Sequence, residues 1–309
     1  MRVAPPALRA SLLRVGLRLR AAPPGALRRL SFLGGVLHGA VAAQWHARHG
    51  SGAACMPINA SLRWRLLAPA ARLPSSDAAH QSWVDAEGWL RFGLLVHADG
   101  GPPLLAKACA ELAAIPEITC GAERYRVVAV ACTPHAVTAG LHLGADKPRW
   151  GQRLRLDWTT PLHLASRAQA LAGHGDAAPT LLRCVRSVAR RIRALEPDWA
   201  HACGLDSPGW LQTEEALRNA LALGGDGPPT QALDWRYGSR TKAAPFMQRG
   251  LLGTQCFSAA LPPSLLAVLA AGAWLGAGEG GSFGCGQYRW QAWDADGLPL
   301  APLLPQPEG

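Results

Sequence analysis

The first 76 residues contain no aspartate and no glutamate. The same span holds eleven arginines, so this quarter alone carries a formal charge of +11, while the remaining residues sum to −1. The absence of acids rules out an acidic face here and suits a polyanionic partner, most simply nucleic acid. Lysine is nearly missing too: Lys107, Lys147 and Lys242 are the only three among 31 basic residues. High-GC codon usage accounts for that ratio but not for the missing acids. An Arg-rich, acid-poor start also marks organellar transit peptides. Against that reading, the segment ASLLRVGLRLRA alternates as a half-buried strand, and the residues after it read as the next element of the same domain.

Other absences narrow the field further. The eight cysteines show no CxxC and no framework spacing, which excludes a zinc ribbon and a disulfide scaffold. They read as small buried hydrophobes in a reducing, cytoplasmic setting. His46 and His49 lie three apart, yet no cysteine or carboxylate nearby completes a metal site, so neither a metal nor a small-molecule cofactor is expected. No secretory signal is evident. No apolar run approaches bilayer length, the nearest being Leu261 to Gly276, which is short and contains Pro262 and Pro263.

What the chain has in abundance near its C-terminus is glycine. In LGAGEGGSFGCGQYRW, Gly276, Gly278, Gly280, Gly281, Gly284 and Gly286 fall within eleven residues. Such a run cannot form a helix or a strand interior, so it is a loop, and it offers φ > 0 conformations and a row of unshielded backbone N–H groups suited to a phosphate. A plain flexible turn is the alternative. Kinase-type loops need a downstream lysine, and no lysine follows Lys242. Dinucleotide loops open a helix. Here a helix, PPSLLAVLAAGAWLG, precedes the loop and a strand, GQYRWQAW, comes after it, the reverse of both orders.

Taken in order, the first half reads as a strand over 11–21, a helix over 31–49 with Ser31 as N-cap, strands at LRWRLL and WLRFGLLVHA, a helix at LLAKACAELAAI stopped by Pro116, and a strand at RYRVVAVAC. The second half gives a strand over 153–164, a helix over 180–195, an inserted helix over 210–223, strands over 232–237 and 251–258, a helix over 264–275, the glycine loop and a last strand. Each half is βαββαβ, the ferredoxin-like unit. The expected fold is therefore α+β, with two tandem ferredoxin-like (RRM-like) domains over 1–148 and 149–297, joined near Gly144 to Gly151, and a mobile tail over 298–309.

On the 180–195 helix, Arg183, Arg186, Arg190 and Arg193 share one face, and Leu181, Val185, Val188, Ile192 and Leu195 share the other. Four like charges without interleaved glutamate repel one another unless an anion is present, which favours RNA phosphate over a merely solvated face. Arg236, Arg240 and Lys242 cluster at a strand end before Pro245. A structural arginine paired with Asp234 is equally open there.

Three blocks in sequence resemble the CRISPR repeat-cleaving endoribonucleases of the RAMP superfamily. The first is LRLDWTTPLHL with LLRCVRSVARRIRAL, the second DWRYGSRTK running into RGLLGTQCFS, and the third the glycine loop with Phe283 and Tyr288. Together they span roughly residues 151–293. The resemblance implies metal-independent cleavage of precursor crRNA, in which a ribose 2′-OH attacks its own phosphate to leave a cyclic phosphate and a 5′-OH. It implies CRISPR repeat RNA as partner, with other effector-complex subunits as a further partner class. It places a proton-transferring histidine, where one is used, on the first helix of the first domain. His38, beside Gly34, Gly35 and Gly39, is the first candidate and His46 the second; Arg28, Arg29 and Arg48 are stand-ins, since some relatives use a cation. It gives Arg240 a role at the RNA or in holding the loop. RNA contacts are expected from Arg183, Arg186, Arg190, Arg193, Arg236, Arg240, Lys242, Gly278, Gly280, Gly281, Gly284 and Gly286. A non-catalytic RAMP subunit that only holds guide RNA is the contrasting reading, and a nucleotide-binding enzyme the remoter one.

Overall fold

Strand β1 (Ala7–Leu19) carries Leu13, Val15, Leu17 and Leu19 buried on one face and Arg14 and Arg18 exposed on the other, where Leu12 and Gly16 are also buried. In this computed structural model, which describes residues 7–20, 27, 30, 32–49, 64–71, 83–97, 106, 109–120, 122–140, 150–163, 177–223, 230–237 and 246–300, that strand is the middle of the first sheet. After it come helix α1 (Gly34–His49), β2 (Trp64–Leu67), β3 (Trp89–His97), β4 (Glu117–Cys120) and β5 (Glu123–Gly140). The strands pair antiparallel in the order β2-β3-β1-β5-β4. Without the short β4, this is the ferredoxin-like order, with the first strand between the third and the last.

The second half repeats the plan. Strand β6 (Gly151–Leu162) leads into α2 (Ala177–Leu195), the short α3 (Pro197–Ala202), α4 (Pro208–Leu223), β7 (Gln231–Tyr237), β8 (Phe246–Leu261), α5 (Pro263–Leu275) and β9 (Tyr288–Trp293). Its sheet runs β7-β8-β6-β9, again antiparallel. The fold is thus α+β with two tandem ferredoxin-like domains. Helix α5 is apolar all round, and every residue from Leu265 to Leu275 is buried. It fills the second core, and the buried Tyr288 hydroxyl donates to its Leu269 carbonyl at 2.7 Å. No helix among the described residues is long and apolar enough to cross a membrane.

The two cores are not separate. Leu12, Leu67 and Leu95 of the first sheet pack with the second domain's core, and Leu233, Leu252 and Cys285 of the second pack with the first. The Gln287 side-chain amide donates to the Leu66 carbonyl at 3.1 Å across the same seam.

Several boundaries differ from the sequence reading. Helix α1 begins at Gly34 instead of Ser31, with the Leu33 carbonyl accepting the N–H groups of Val36 and Leu37; Ser31 lies outside the described residues. Strand β5 continues to Gly140, although Pro134 signals a stop, because β1 pairs with it along that whole length. The hairpin strand β4 and helix α3 are not expected from the sequence, being too short to show a period. Of the expected tail, Leu298–Leu300 bond back onto the last strand through Leu300 N–H to Ala292 at 2.8 Å; residues 301–309 lie outside the described residues, as do positions 144–149 of the expected Gly144 to Gly151 linker, whose last residue opens β6.

Candidate functional site

The end of β6 is the template on which the glycine loop folds. Thr160, wholly buried, donates to the Gly284 carbonyl and accepts the Gln287 N–H, both at 2.8 Å. The carbonyls of Pro161 and His163 accept the N–H groups of Gly286 (2.9 Å) and Glu279 (2.7 Å). The loop turns back on itself through positive φ at Gly276, Gly278, Gly280, Gly284 and Gly286. Space is as limiting as φ. A Cβ on Gly278 would sit 2.3 Å from the His163 carbonyl oxygen, and one on Gly286 would sit 1.8 Å from that of Ala277.

The expected row of open N–H groups needs correction. Gly276, Ala277, Gly278, Glu279, Phe283, Gly284, Cys285, Gly286 and Gln287 all donate within the protein, Gly278 to the Ser187 hydroxyl at 2.8 Å. Gly278, Gly284 and Gly286 are buried, and only Gly280 and Gly281 stay half-buried at the outer turn. Geometry therefore narrows an accessible glycine surface to that turn.

What the loop turns inward is its carbonyls, and two arginines hold them. Arg65, on β2 of the first domain, donates to Leu275 and, at 2.6 Å, to Cys285. Arg191, on α2 of the second, donates to Leu275 (3.1 Å), Gly276 and Gly278 (2.5 Å). Leu275 is the last residue of α5, so both cations sit at the negative end of a helix whose final carbonyls lack intrahelical partners. Arg65 is 5% exposed and Arg191 9%. Neither belongs to an ion pair found among the described residues. Burial pushes the Arg65 guanidinium well below the usual arginine value, with the Arg191 charge adding to the shift. Burial and then Arg190 push Arg191 down to about 10, while the exposed Glu279 opposes the shift. Both stay cationic, because a guanidinium does not give up its proton in a protein. The neighbouring Cys285 thiol is pushed up to about 12 by burial and the Tyr288 phenol is raised, so neither supplies an anion. Carbonyl dipoles are what offset the several kcal/mol that desolvating each cation costs, through charge-assisted bonds of about 1.5–3 kcal/mol apiece.

The loop's outer turn meets α1. A 3-10 turn at Gly281–Phe283 carries Phe283, whose ring centroid lies 4.4 Å from that of His38. Gly34 lets the helix approach: a Cβ there would be 1.9 Å from the Phe283 carbonyl oxygen. Residues nearly 250 positions apart in sequence are thereby brought together, and His38 is 4% exposed beneath them. His46 lies further along α1, with a side chain outside the described residues.

The arginine face of α2 is only partly open. Arg186 pairs with Glu214 of α4 at 2.7 Å, and Arg193 with Asp206 at 3.0 Å and the Leu205 carbonyl. The anions that charge repulsion calls for are thus supplied within the chain, and repulsion alone does not require RNA. Arg190 is exposed and Arg183 half-buried. Arg236 lies in β7 with a side chain outside the described residues, and Arg240 and Lys242 fall wholly outside them.

Sequence reading misses Arg65 and Arg191. A signal exists for the second: Arg191 falls three residues after Val188 and four before Leu195, on the apolar stripe instead of the basic one. Arg65 gives none beyond being one more arginine in a basic segment.

Comparison with known proteins agrees with this architecture. No curated protein matches the chain in sequence. Among solved structures, Cas6 from Thermus thermophilus superposes with a TM-score of 0.50 at 17% identity, covering 95% of this chain and 99% of that one. A chain of a partial Cas6-RT-Cas1–Cas2 complex superposes at 0.51 and 14% identity, covering 98% of this chain and 49% of that one. These likenesses establish the fold. Residues 156–288 match the family model of the CRISPR-associated endoribonuclease Cas6, a span that runs from β6 through α2, which bears Arg191, to the glycine loop. With its tandem ferredoxin-like domains and the loop seated on the Thr-Pro-Leu strand end, the chain is similar over that span to the CRISPR-associated endoribonuclease family Cas6.

Proposed function

We propose that this protein binds CRISPR repeat RNA and cuts precursor crRNA without a metal, by attack of the ribose 2′-OH at the cut site on the adjacent phosphate. The observation that carries the reading is the pairing of His38 with Phe283, because it brings a histidine-bearing helix of the first domain against the glycine loop of the second. Histidine suits proton transfer near neutral pH, and a phosphorane needs oriented donors and positive potential. Arg65 and Arg191 provide positive charge directly beneath Gly281. The products are a 2′,3′-cyclic phosphate and a 5′-OH. Arg183, Arg190, Arg236, Arg240 and Lys242 are the proposed phosphate contacts, with Gly280 and Gly281 touching the strand. His46 is the second candidate for proton transfer. The Thermus thermophilus relative is a Cas6, and another relative is part of a complex with Cas1 and Cas2; by extension, CRISPR proteins are proposed partners here.

The enclosure of His38 favours a second reading, a subunit that holds guide RNA without cutting it. Incubating the purified protein with repeat RNA in EDTA separates the two. One cut ending in a cyclic phosphate is the expected result, and intact RNA bound at saturation is the outcome of the second reading.

A further inference from the structure

The glycine loop is gripped from both domains by side chains that packing alone does not call for. Arg65 reaches it from β2 of the first domain and Arg191 from α2 of the second, and both meet at the Leu275 carbonyl. A buried cation without a carboxylate partner is a poor device for stability, since an apolar side chain of similar volume usually serves as well or better. What a guanidinium does that an apolar group cannot is span several carbonyls in fixed geometry from one rigid fork. Here it does so on both sides of the turn: Arg191 holds Gly276 and Gly278 before it, and Arg65 holds Cys285 after it. Between those anchors lie only Glu279 to Gly284, the segment that carries Phe283 to His38. Glycine leaves that segment little side-chain packing of its own to set its position, so the bonds at its two ends set it, those of the arginines together with those of the β6 end.

We propose that Arg65 and Arg191 are positioning residues for RNA cleavage: by clamping the two stems of the glycine loop, they fix Phe283 against His38 and so set the imidazole orientation across the domain seam. The proposal rests on the proposed cutting of RNA beside His38. The clamp also couples the domains, because Arg65 belongs to one and the carbonyls it holds belong to the other. Gly276 is glycine for the same reason, since a Cβ there would lie 1.6 Å from an Arg65 guanidinium nitrogen.

The test uses Arg65→Lys and Arg191→Lys in the full chain. Lysine keeps the charge but offers one ammonium where the fork spans two or more carbonyls. Three quantities are read: single-turnover cutting at saturating protein, affinity for a 2′-deoxy repeat RNA, and the histidine ring resonance of His38 in protein carrying labelled histidine, identified by its loss in H38A. The Phe283 ring current marks that resonance. The expected result is a cutting rate lower by about tenfold to a hundredfold, the scale of a misplacement near 1 Å, with affinity within about threefold of the parent and a His38 resonance displaced from its position in the parent. Lysine variants that cut at the parent rate with the resonance unmoved would overturn the proposal. So would variants in which melting temperature, affinity and rate fall together while the resonance stays in place, because that is a structural role. If the parent protein does not cut repeat RNA at all, the functional reading fails, and the resonance still decides the positioning claim by itself.

Discussion

Replacing His38 by alanine is expected to slow cutting of repeat RNA by about 10²–10⁴-fold, the usual contribution of a positioned general acid or base. Binding should change little, because the enclosed imidazole contributes almost no surface of its own. The substitution removes the ring that packs, tilted, against Phe283, so some loss of melting temperature accompanies it. That loss is separable from chemistry by measuring the rate at saturating protein well below the melting transition. Cutting retained at the parent rate would move the proton-transfer role to His46 or to an arginine near the same helix.

The second large effect is on folding. In Gly286→Ala the new Cβ would lie 1.8 Å from the Ala277 carbonyl oxygen, at a residue whose φ is +71°. Backbone lies on both sides of that contact, so no flexible side chain can give way. The bond from Gly286 to Pro161 and the bond from Ala277 to Gly286 would both be disturbed. Strain of φ and overpacking together should cost about 3 kcal/mol or more. Thermal denaturation checks this against Gly297→Ala, where φ is also positive, +76°, but a Cβ meets nothing within 4 Å. The comparison isolates packing from φ: a much larger loss at Gly286 is expected, and equal losses would show that the loop is looser than its contacts indicate.

Much of the architecture is legible in the chain itself. β1 announces itself by alternation, and α2 by a clean division between Val185, Val188 and Ile192 on one side and Arg186, Arg190 and Arg193 on the other. Twice-repeated βαββαβ order then leaves few topologies open. What stays illegible is direction. Six glycines say that the backbone adopts positive φ and is approached closely, and the φ values of Gly276, Gly278, Gly280, Gly284 and Gly286 agree. They do not say what approaches. Composition suggests a loop that offers its N–H groups outward, whereas it takes cations onto its carbonyls from within, and those cations come from Arg65 and Arg191, 210 and 85 residues away. No local pattern encodes a partner at that distance. The acidic partners of Arg186 and Arg193 are hidden in the same way, since Glu214 and Asp206 belong to a later helix and the turn before it. Resemblance singles out His38 on the first helix, but only folding brings Phe283 onto it.

In the proposed reaction RNA itself supplies the attacking group. A repeat RNA carrying a single 2′-deoxy nucleotide at the cut site, incubated with the protein in EDTA beside its all-ribose counterpart, tests this directly. The all-ribose RNA is expected to be cut to a cyclic phosphate end while the 2′-deoxy RNA is bound equally well and stays whole. Cutting of the 2′-deoxy RNA at the same position would contradict it.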